Sequence, residues 1–101
     1  MARKIVFTIQ ALENRKAVLE YWNKRNGSNT YSRKLNRLFF EALQLLKRYP
    51  YTGRNTVIEN VYVKVVRDYL IFYEIKGTEI VIYAIWDSRR NPDDLKIPSS
   101  I

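Results

Sequence analysis

The chain contains neither cysteine nor histidine, and each absence excludes a class of chemistry. Without cysteine there can be no disulfide, no thiolate nucleophile and no cysteine zinc site. Without histidine the chain lacks the side chain best suited to acid–base catalysis near neutral pH, and it lacks the commonest metal ligand. No acidic cluster is spaced for a carboxylate metal site either, so we expect a protein without a metal or other cofactor.

Long apolar runs are also missing. No stretch approaches the roughly 20 residues that a membrane-spanning helix needs. The N-terminal segment "MARKIVF" has no apolar region followed by a cleavage site. The sequence therefore favours a cytoplasmic protein that does not associate with a membrane.

Positive charge is what the chain has in excess. Lysine and arginine number 18 against 10 acidic residues, which gives a formal charge of +8 on 101 residues. Such an excess attracts polyanions or an acidic protein, although charge retained for solubility is an alternative. Apolar residues make up 47 % of the chain, enough for one domain with a single core. We expect that domain over residues 1–95, followed by a polar tail over 96–101.

Two apolar patterns near the N-terminus predict a strand and then two helices. Residues 4–9 are β-branched and aromatic, as in a strand. A first helix over 11–25 ends at Asn26-Gly27. The second helix has the strongest periodicity of the chain and ends before Pro50. The predicted apolar positions are Leu12, Val18, Leu19 and Trp22 in the first helix, and Tyr31, Leu35, Leu38, Phe39, Ala42, Leu45, Leu46 and Tyr49 in the second.

Three β-rich runs complete the pattern, at 61–66, 69–75 and 78–86. The turns between them are so short that they must form an antiparallel meander. Residues 51–60 are predicted to be a loop with Gly53 as its pivot. The first strand must pair with the meander, since its backbone groups would otherwise stay unsatisfied. The fold class is therefore α+β, in the order β-α-α-β-β-β, with a helical hairpin on one sheet face.

Three segments in this order resemble the RelE/ParE superfamily of type II toxin–antitoxin toxins, the plasmid stabilisation family. They are "RYPYTGR" at 48–54, "VVRDYLIFYEI" at 65–75 and "IVIYAIWDSRR" at 80–90. The resemblance implies a small basic toxin with a helical hairpin on a twisted antiparallel sheet of mixed edge. It also implies an acidic, partly disordered antitoxin that lies across an exposed apolar surface. RelE-like members cut mRNA, usually on the ribosome and without metal, whereas ParE-like members block DNA gyrase.

Metal-free RNA cleavage requires cations around the phosphate, and arginine suits this role because its planar fork matches phosphate oxygens. The meander topology should bring Arg67 to the same end of the sheet as Arg89 and Arg90. We therefore predict a phosphate- and RNA-binding surface made of Lys64, Arg67, Trp86, Arg89 and Arg90. The alternatives are an ion pair of Arg67 with Asp68 or Asp87, and a solvated strand end at 89–90.

The catalytic set that this surface would need is Arg67, Arg90, Asp87 and Tyr83. As a base, Asp87 would need a raised pKa, but two neighbouring arginines should lower that pKa, which favours an orienting role. Tyr73 and Tyr83 are alternative proton carriers, or simply packed strand residues. Trp86 would stack on a base or anchor the core.

Two activities fit these residues, and the charge places an endoribonuclease slightly ahead. A ParE-like gyrase inhibitor is favoured by the missing histidine and by the long helical hairpin. It is also favoured by Leu70, because the RelE-type nucleases that most resemble this chain have an arginine at that position. A third alternative is a toxin fold that has lost its activity. Arg33, Lys34 and Arg37 form a cationic stripe that is either a docking surface or a solvated face. The uncovered sheet face also offers a route to homodimers when the antitoxin is absent.

Overall fold

The computed structural model describes residues 3–95 and 97. Within them, two helices pack on a five-stranded mixed sheet. The elements are β1 (Lys4–Phe7), α1 (Ile9–Asn26), α2 (Thr30–Arg48), β2 (Arg54–Asn55), β3 (Val61–Val66), β4 (Tyr69–Lys76) and β5 (Glu79–Asp87), with 3₁₀ turns at Pro50–Thr52 and Pro92–Asp94. The predicted α+β class and element order are confirmed. β2 is an additional two-residue strand inside the predicted loop, and most of the predicted tail, 96–101, lies outside the described residues.

A single threonine ends β1 and begins α1. The Thr8 hydroxyl accepts a hydrogen bond from the Ala11 backbone N–H at 3.1 Å, which caps the first turn of the helix. The same hydroxyl lies 3.1 Å from the carbonyl oxygen of Ile82 on β5, to which it donates. The predicted strand over 4–9 is therefore two residues too long, and α1 starts at Ile9 rather than at residue 11.

The N-terminal strand pairs with the last one. The strand order is β1-β5-β4-β3-β2, and β1 runs parallel to β5 from the pair Lys4–Glu79 to the pair Phe7–Ile82. A parallel pair needs a long crossover connection, and in this chain the helices, β2 and the meander together supply it. β1 covers only the first half of β5, so the second half has no strand neighbour on that side.

The helical hairpin is held at its closed end by two local features. Gly27 has a φ of 65°, the left-handed conformation that commonly ends a helix. The Ser32 hydroxyl, at the start of α2, donates to the Asn23 side-chain oxygen near the end of α1. None of the described helices has the length and apolarity needed to cross a membrane.

The core lies between the hairpin and the sheet. Its fully buried side chains include Leu35, Phe39, Leu46, Ile71, Tyr73, Ile80 and Ile82. In α1 the buried stripe runs through Ala11, Val18 and Trp22, which places Leu12 about 100° around the helix. Leu12, Leu45 and Tyr49 were predicted to lie on the apolar faces of the helices, but they are 49 %, 51 % and 56 % exposed. Leu12 and Leu45 each lie one residue beside a fully buried position.

A β-bulge changes which residues of β5 face the helices. Phe72 pairs with Ala84 and Tyr73 with Ile82, so Tyr83 is an extra residue in β5. Beyond Tyr83 the side chains alternate again, but odd-numbered rather than even-numbered residues now face the helices. As a result Ile85 joins the core, whereas Trp86 is buried on the face away from the helices.

Tyr73 anchors the segment that precedes β2. Its hydroxyl is fully buried, accepts from the Gly53 backbone N–H at 3.1 Å and donates to the Pro50 carbonyl oxygen at 2.7 Å. A Cβ atom on Gly53 would collide with this hydroxyl and would lie 2.9 Å from the carbonyl oxygen of Val63. The glycine of "RYPYTGR" is therefore required by close packing, and Tyr73 has a structural role.

We expect Gly53→Ala to destabilise the protein by about 1–3 kcal/mol, because the added methyl group overpacks the Tyr73 hydroxyl. Urea denaturation would measure the change in the free energy of unfolding. In a Tyr73→Phe background the same substitution should cost less, since the colliding oxygen is gone. Equal costs in both backgrounds would show that Tyr73 does not restrict this position.

Candidate functional site

A cleft of about 280 Å³ lies between α1 and the end of β5. It is lined by Asn14, Ala17, Val18 and Tyr21 from α1, and by Tyr69, Ile85, Asp87, Arg89 and Arg90 from the sheet end. It occupies the region where β5 has lost its strand neighbour. Asn14 takes over part of that neighbour's role, because its Oδ1 accepts a hydrogen bond from the Ile85 backbone N–H at 3.1 Å.

The register of β4 and β5 brings distant arginines to the same end of the sheet. Tyr69 pairs with Asp87, and the Ser88 N–H donates to the Asp68 carbonyl oxygen at 2.8 Å. The turn that contains Arg67 is therefore directly beside the segment 87–90.

Arg67 holds an unusual backbone conformation in the β3–β4 turn. Its φ of 57° lies in the left-handed region, which costs a non-glycine residue roughly 1–2 kcal/mol. Of the ion pairs within 4.0 Å that the described part of the chain forms, none involves Arg67. The alternative of a salt bridge to Asp68 or Asp87 is therefore not formed.

Asp87 and Arg89 form a closed pair. Asp87 Oδ1 accepts from the backbone N–H of Arg89 at 2.9 Å and from its Nε at 3.0 Å, and Oδ2 accepts from Nη2 at 2.8 Å. These bonds hold the pKa of the Asp87 carboxyl below its ordinary value and raise the pKa of Arg89. Asp87 therefore stays ionised and orients Arg89, in line with the role that its neighbours in the sequence favoured.

Arg90 is held differently. Its guanidinium carbon lies 4.3 Å from the centre of the Trp86 ring, a cation–π contact. Trp86 is 6 % exposed, and its Nε1 is buried without a partner within the described residues. In that part of the chain Arg90 has no ion pair, and Arg90 is one of the residues that line the cleft.

Of the predicted site residues, Asp87, Arg89 and Arg90 line the cleft, whereas Arg67, Trp86, Tyr83 and Lys64 do not. The Tyr83 hydroxyl donates to Glu74 Oε1 at 2.8 Å, and burial raises the pKa of Tyr83. Lys64 is opposite Ile71 in the middle of β3. The structure thus gathers Arg67, Asp87 and the 89–90 pair at one sheet end, whereas Tyr83 and Lys64 lie elsewhere along their strands.

Three cleft residues carried no usable signal in the sequence. Asn14 and Tyr21 belong to a helix whose position depends on where β1 ends. Tyr69 is 2 % exposed, and its hydroxyl accepts a hydrogen bond from Trp22 Nε1 at 2.7 Å. Burial raises the pKa of Tyr69.

In residues 3–95 and 97, no group of three or more acidic side chains is arranged to hold a metal ion.

Comparison with known proteins identifies the family. The model for the ParE toxin of the parDE type II toxin–antitoxin system matches residues 5–92. The chain belongs to the ParE toxin family. Among solved structures it is similar to a chain described as "Chromosomal ParDE TA system from P. aeruginosa", with a TM-score of 0.73, 18 % identity, and coverage of 83 % of this chain and 94 % of that one. At this identity the likeness shows a shared fold.

No curated protein gives a significant match to the chain. The resemblance to the RelE/ParE superfamily is nevertheless confirmed by the family model. The protein is the toxin of a type II toxin–antitoxin module, and membership of this family implies an antitoxin partner.

Asp87→Asn should make folding stability less dependent on pH. A carboxyl whose pKa is lowered in the folded state contributes stability above its unfolded pKa of about 3.9, and that contribution disappears as the pH falls through the folded value. Asp87→Asn should therefore be less stable than the native protein at pH 7, and the two should converge in acid. Urea denaturation across this range would test it, and a constant difference would contradict the pairing.

Proposed function

We propose that this ParE-family toxin acts by binding a protein target, DNA gyrase, and not by cleaving RNA. The observation that carries the proposal is that Asp87 and Tyr69, which line the cleft beside the arginines, are not poised to accept a proton near neutral pH. Asp87 has a lowered pKa and three hydrogen bonds from Arg89. Tyr69 has a raised pKa and keeps its proton.

The cost of this arrangement for RNA cleavage is large. General acid–base catalysis contributes roughly 10² to 10⁴ in rate for each positioned group. The other tyrosines considered as proton carriers are engaged elsewhere, Tyr73 with Pro50 and Tyr83 with Glu74. Cations alone would bind a phosphate and stabilise developing charge, but they would not accept the proton of the 2′-hydroxyl. This supports binding as the mode of action. Gyrase rather than mRNA is the target that the resemblance to ParE-like members implies, and the chain belongs to the ParE toxin family.

An endoribonuclease remains the second candidate, and one arrangement favours it. Arg67, Arg89 and Arg90 belong to segments that meet at one sheet end, and arginines in such a cluster bind phosphate well. If the RNA itself or a ribosomal group supplied the proton acceptor, these residues would stabilise the transition state. The two candidates differ in their products, so they can be separated directly.

We place the antitoxin contact in a second, apolar groove of about 250 Å³ at the open end of the helical hairpin. Its floor includes Phe7, Phe39, Leu43 and Ile85, and its rim includes Leu12, Arg15, Asn36, Arg37 and Phe40. Phe40 is 60 % exposed and Leu12 is 49 % exposed. An amphipathic segment with apolar and acidic side chains complements both the floor and the cationic rim.

Purified toxin should inhibit gyrase supercoiling, and induced toxin should produce gyrase-dependent DNA breaks without new transcript ends by primer extension. Arg67→Gly is a useful variant for the nuclease alternative, because glycine relieves the left-handed strain while removing the charge. Site-specific transcript cleavage that is lost in Arg67→Gly and in Arg90→Ala, with gyrase unaffected, would overturn the proposal in favour of a nuclease.

Phe40→Glu should weaken antitoxin binding at least about tenfold, since it introduces a charge where apolar contact is expected. Isothermal titration calorimetry with the co-encoded antitoxin would measure the change. Val57→Glu is a matched control, because Val57 is fully exposed and lies outside the groove. Equal losses in both variants would argue against a specific role of the groove.

A further inference from the structure

We propose that the cleft between α1 and the end of β5 is a carboxylate subsite that receives one acidic side chain of the antitoxin. The inference rests on the antitoxin partner that family membership implies. It depends neither on the target of the toxin nor on the apolar groove at the open end of the helical hairpin.

The polar groups of the cleft are donors that lack acceptors. Asn14 uses its Oδ1 on the Ile85 N–H, which leaves its amide N–H groups. Tyr69 accepts from Trp22, so its own hydroxyl proton still needs an acceptor. Within residues 3–95 and 97, these donors and the guanidinium of Arg90 have no hydrogen-bond acceptor. Tyr69 is buried, and buried donors normally have a hydrogen-bond acceptor.

The one acidic group in the lining is already occupied. Both oxygens of Asp87 accept from Arg89, so this pair is close to neutral and offers little to an incoming cation. The remaining formal charge in the lining is the single guanidinium of Arg90. A single uncompensated guanidinium balances one negative charge, so a site of this kind favours a monoanion over a dianionic phosphate.

The apolar wall of the cleft selects a carboxylate on an aliphatic stem. Ala17 and Val18 on α1 face the same space as Ile85 on β5. The methylene groups of a glutamate side chain would pack on this wall while its carboxylate reaches Arg90, Asn14 and Tyr69. The sugar of a phosphodiester backbone would instead place polar groups on the wall. We assign the carboxylate to the antitoxin, because an acidic partner complements a toxin of charge +8.

Trp22 provides a reporter for this cleft, because its indole N–H donates a hydrogen bond to the Tyr69 hydroxyl. A ligand that accepts a hydrogen bond from the Tyr69 hydroxyl polarises the Trp22–Tyr69 hydrogen bond and therefore shifts the indole N–H resonance of Trp22. Trp22 and Trp86 are the only tryptophans in the sequence. Both indole signals are therefore easily assigned in the ¹⁵N-labelled full-length toxin.

The test is a titration of the toxin with N-acetylglutamate N-methylamide, with the glutamine analogue and ribose 5-phosphate, which carries both a sugar and a dianionic phosphate, as comparison probes. We expect a saturable shift of the Trp22 indole signal with the glutamate compound and binding at least about tenfold weaker for the other two. Arg90→Gln should weaken binding of the glutamate compound similarly. Arg33→Gln, which removes an exposed charge on α2 outside the cleft, should not.

The proposal is overturned if no saturable shift appears up to the solubility limit, or if the glutamine analogue or ribose 5-phosphate binds equally well. A second arm tests the source of the carboxylate. In the co-purified toxin–antitoxin complex the glutamate compound should no longer move the Trp22 signal, since the cleft is filled. Undiminished binding to the complex would overturn the antitoxin assignment. Neither arm measures gyrase inhibition or RNA cleavage, so the two proposals fail separately.

Discussion

The pairing of β4 with β5 at Tyr69 and Asp87 is the constraint on which the candidate site depends. Two features fix this pairing: the register of the two strands and the hydrogen bond from the Ser88 backbone N–H to the Asp68 carbonyl oxygen. Because of it, the turn carrying Arg67 is a neighbour of residues more than twenty positions later. Without this register the basic residues would be scattered charges on the surface, and the cleft would lose one of its walls.

Two arginines of the same region are ordered by different interactions. Arg89 is neutralised by Asp87, and Arg90 is held over the Trp86 ring. Each interaction orders a guanidinium group. Ordered donors with few acceptors are well suited to binding an anion. They are poorly suited to moving a proton from a ribose hydroxyl.

Much of the fold followed from periodicity and short turns, because these report local geometry. The meander, the hairpin and the proximity of Arg67 to the 89–90 segment needed only antiparallel neighbours. The bulge at Tyr83 was not predictable, since it depends on how two strands meet and not on alternation within one. The roles of Thr8 and Asn14 were hidden for a related reason. Both satisfy backbone groups of β5, a partner more than seventy residues away.

The most direct test of the account is an NMR pH titration that follows the carboxyl carbon of Asp87 and the ring carbons of Tyr69. If the cluster binds without acid–base chemistry, the Asp87 carboxyl should titrate below its ordinary value of about 3.9 and the Tyr69 hydroxyl above about 10. A titration of either group between about pH 5 and 8 would reveal a group poised for proton transfer. That result would contradict the account and restore a nuclease centre at this end of the sheet.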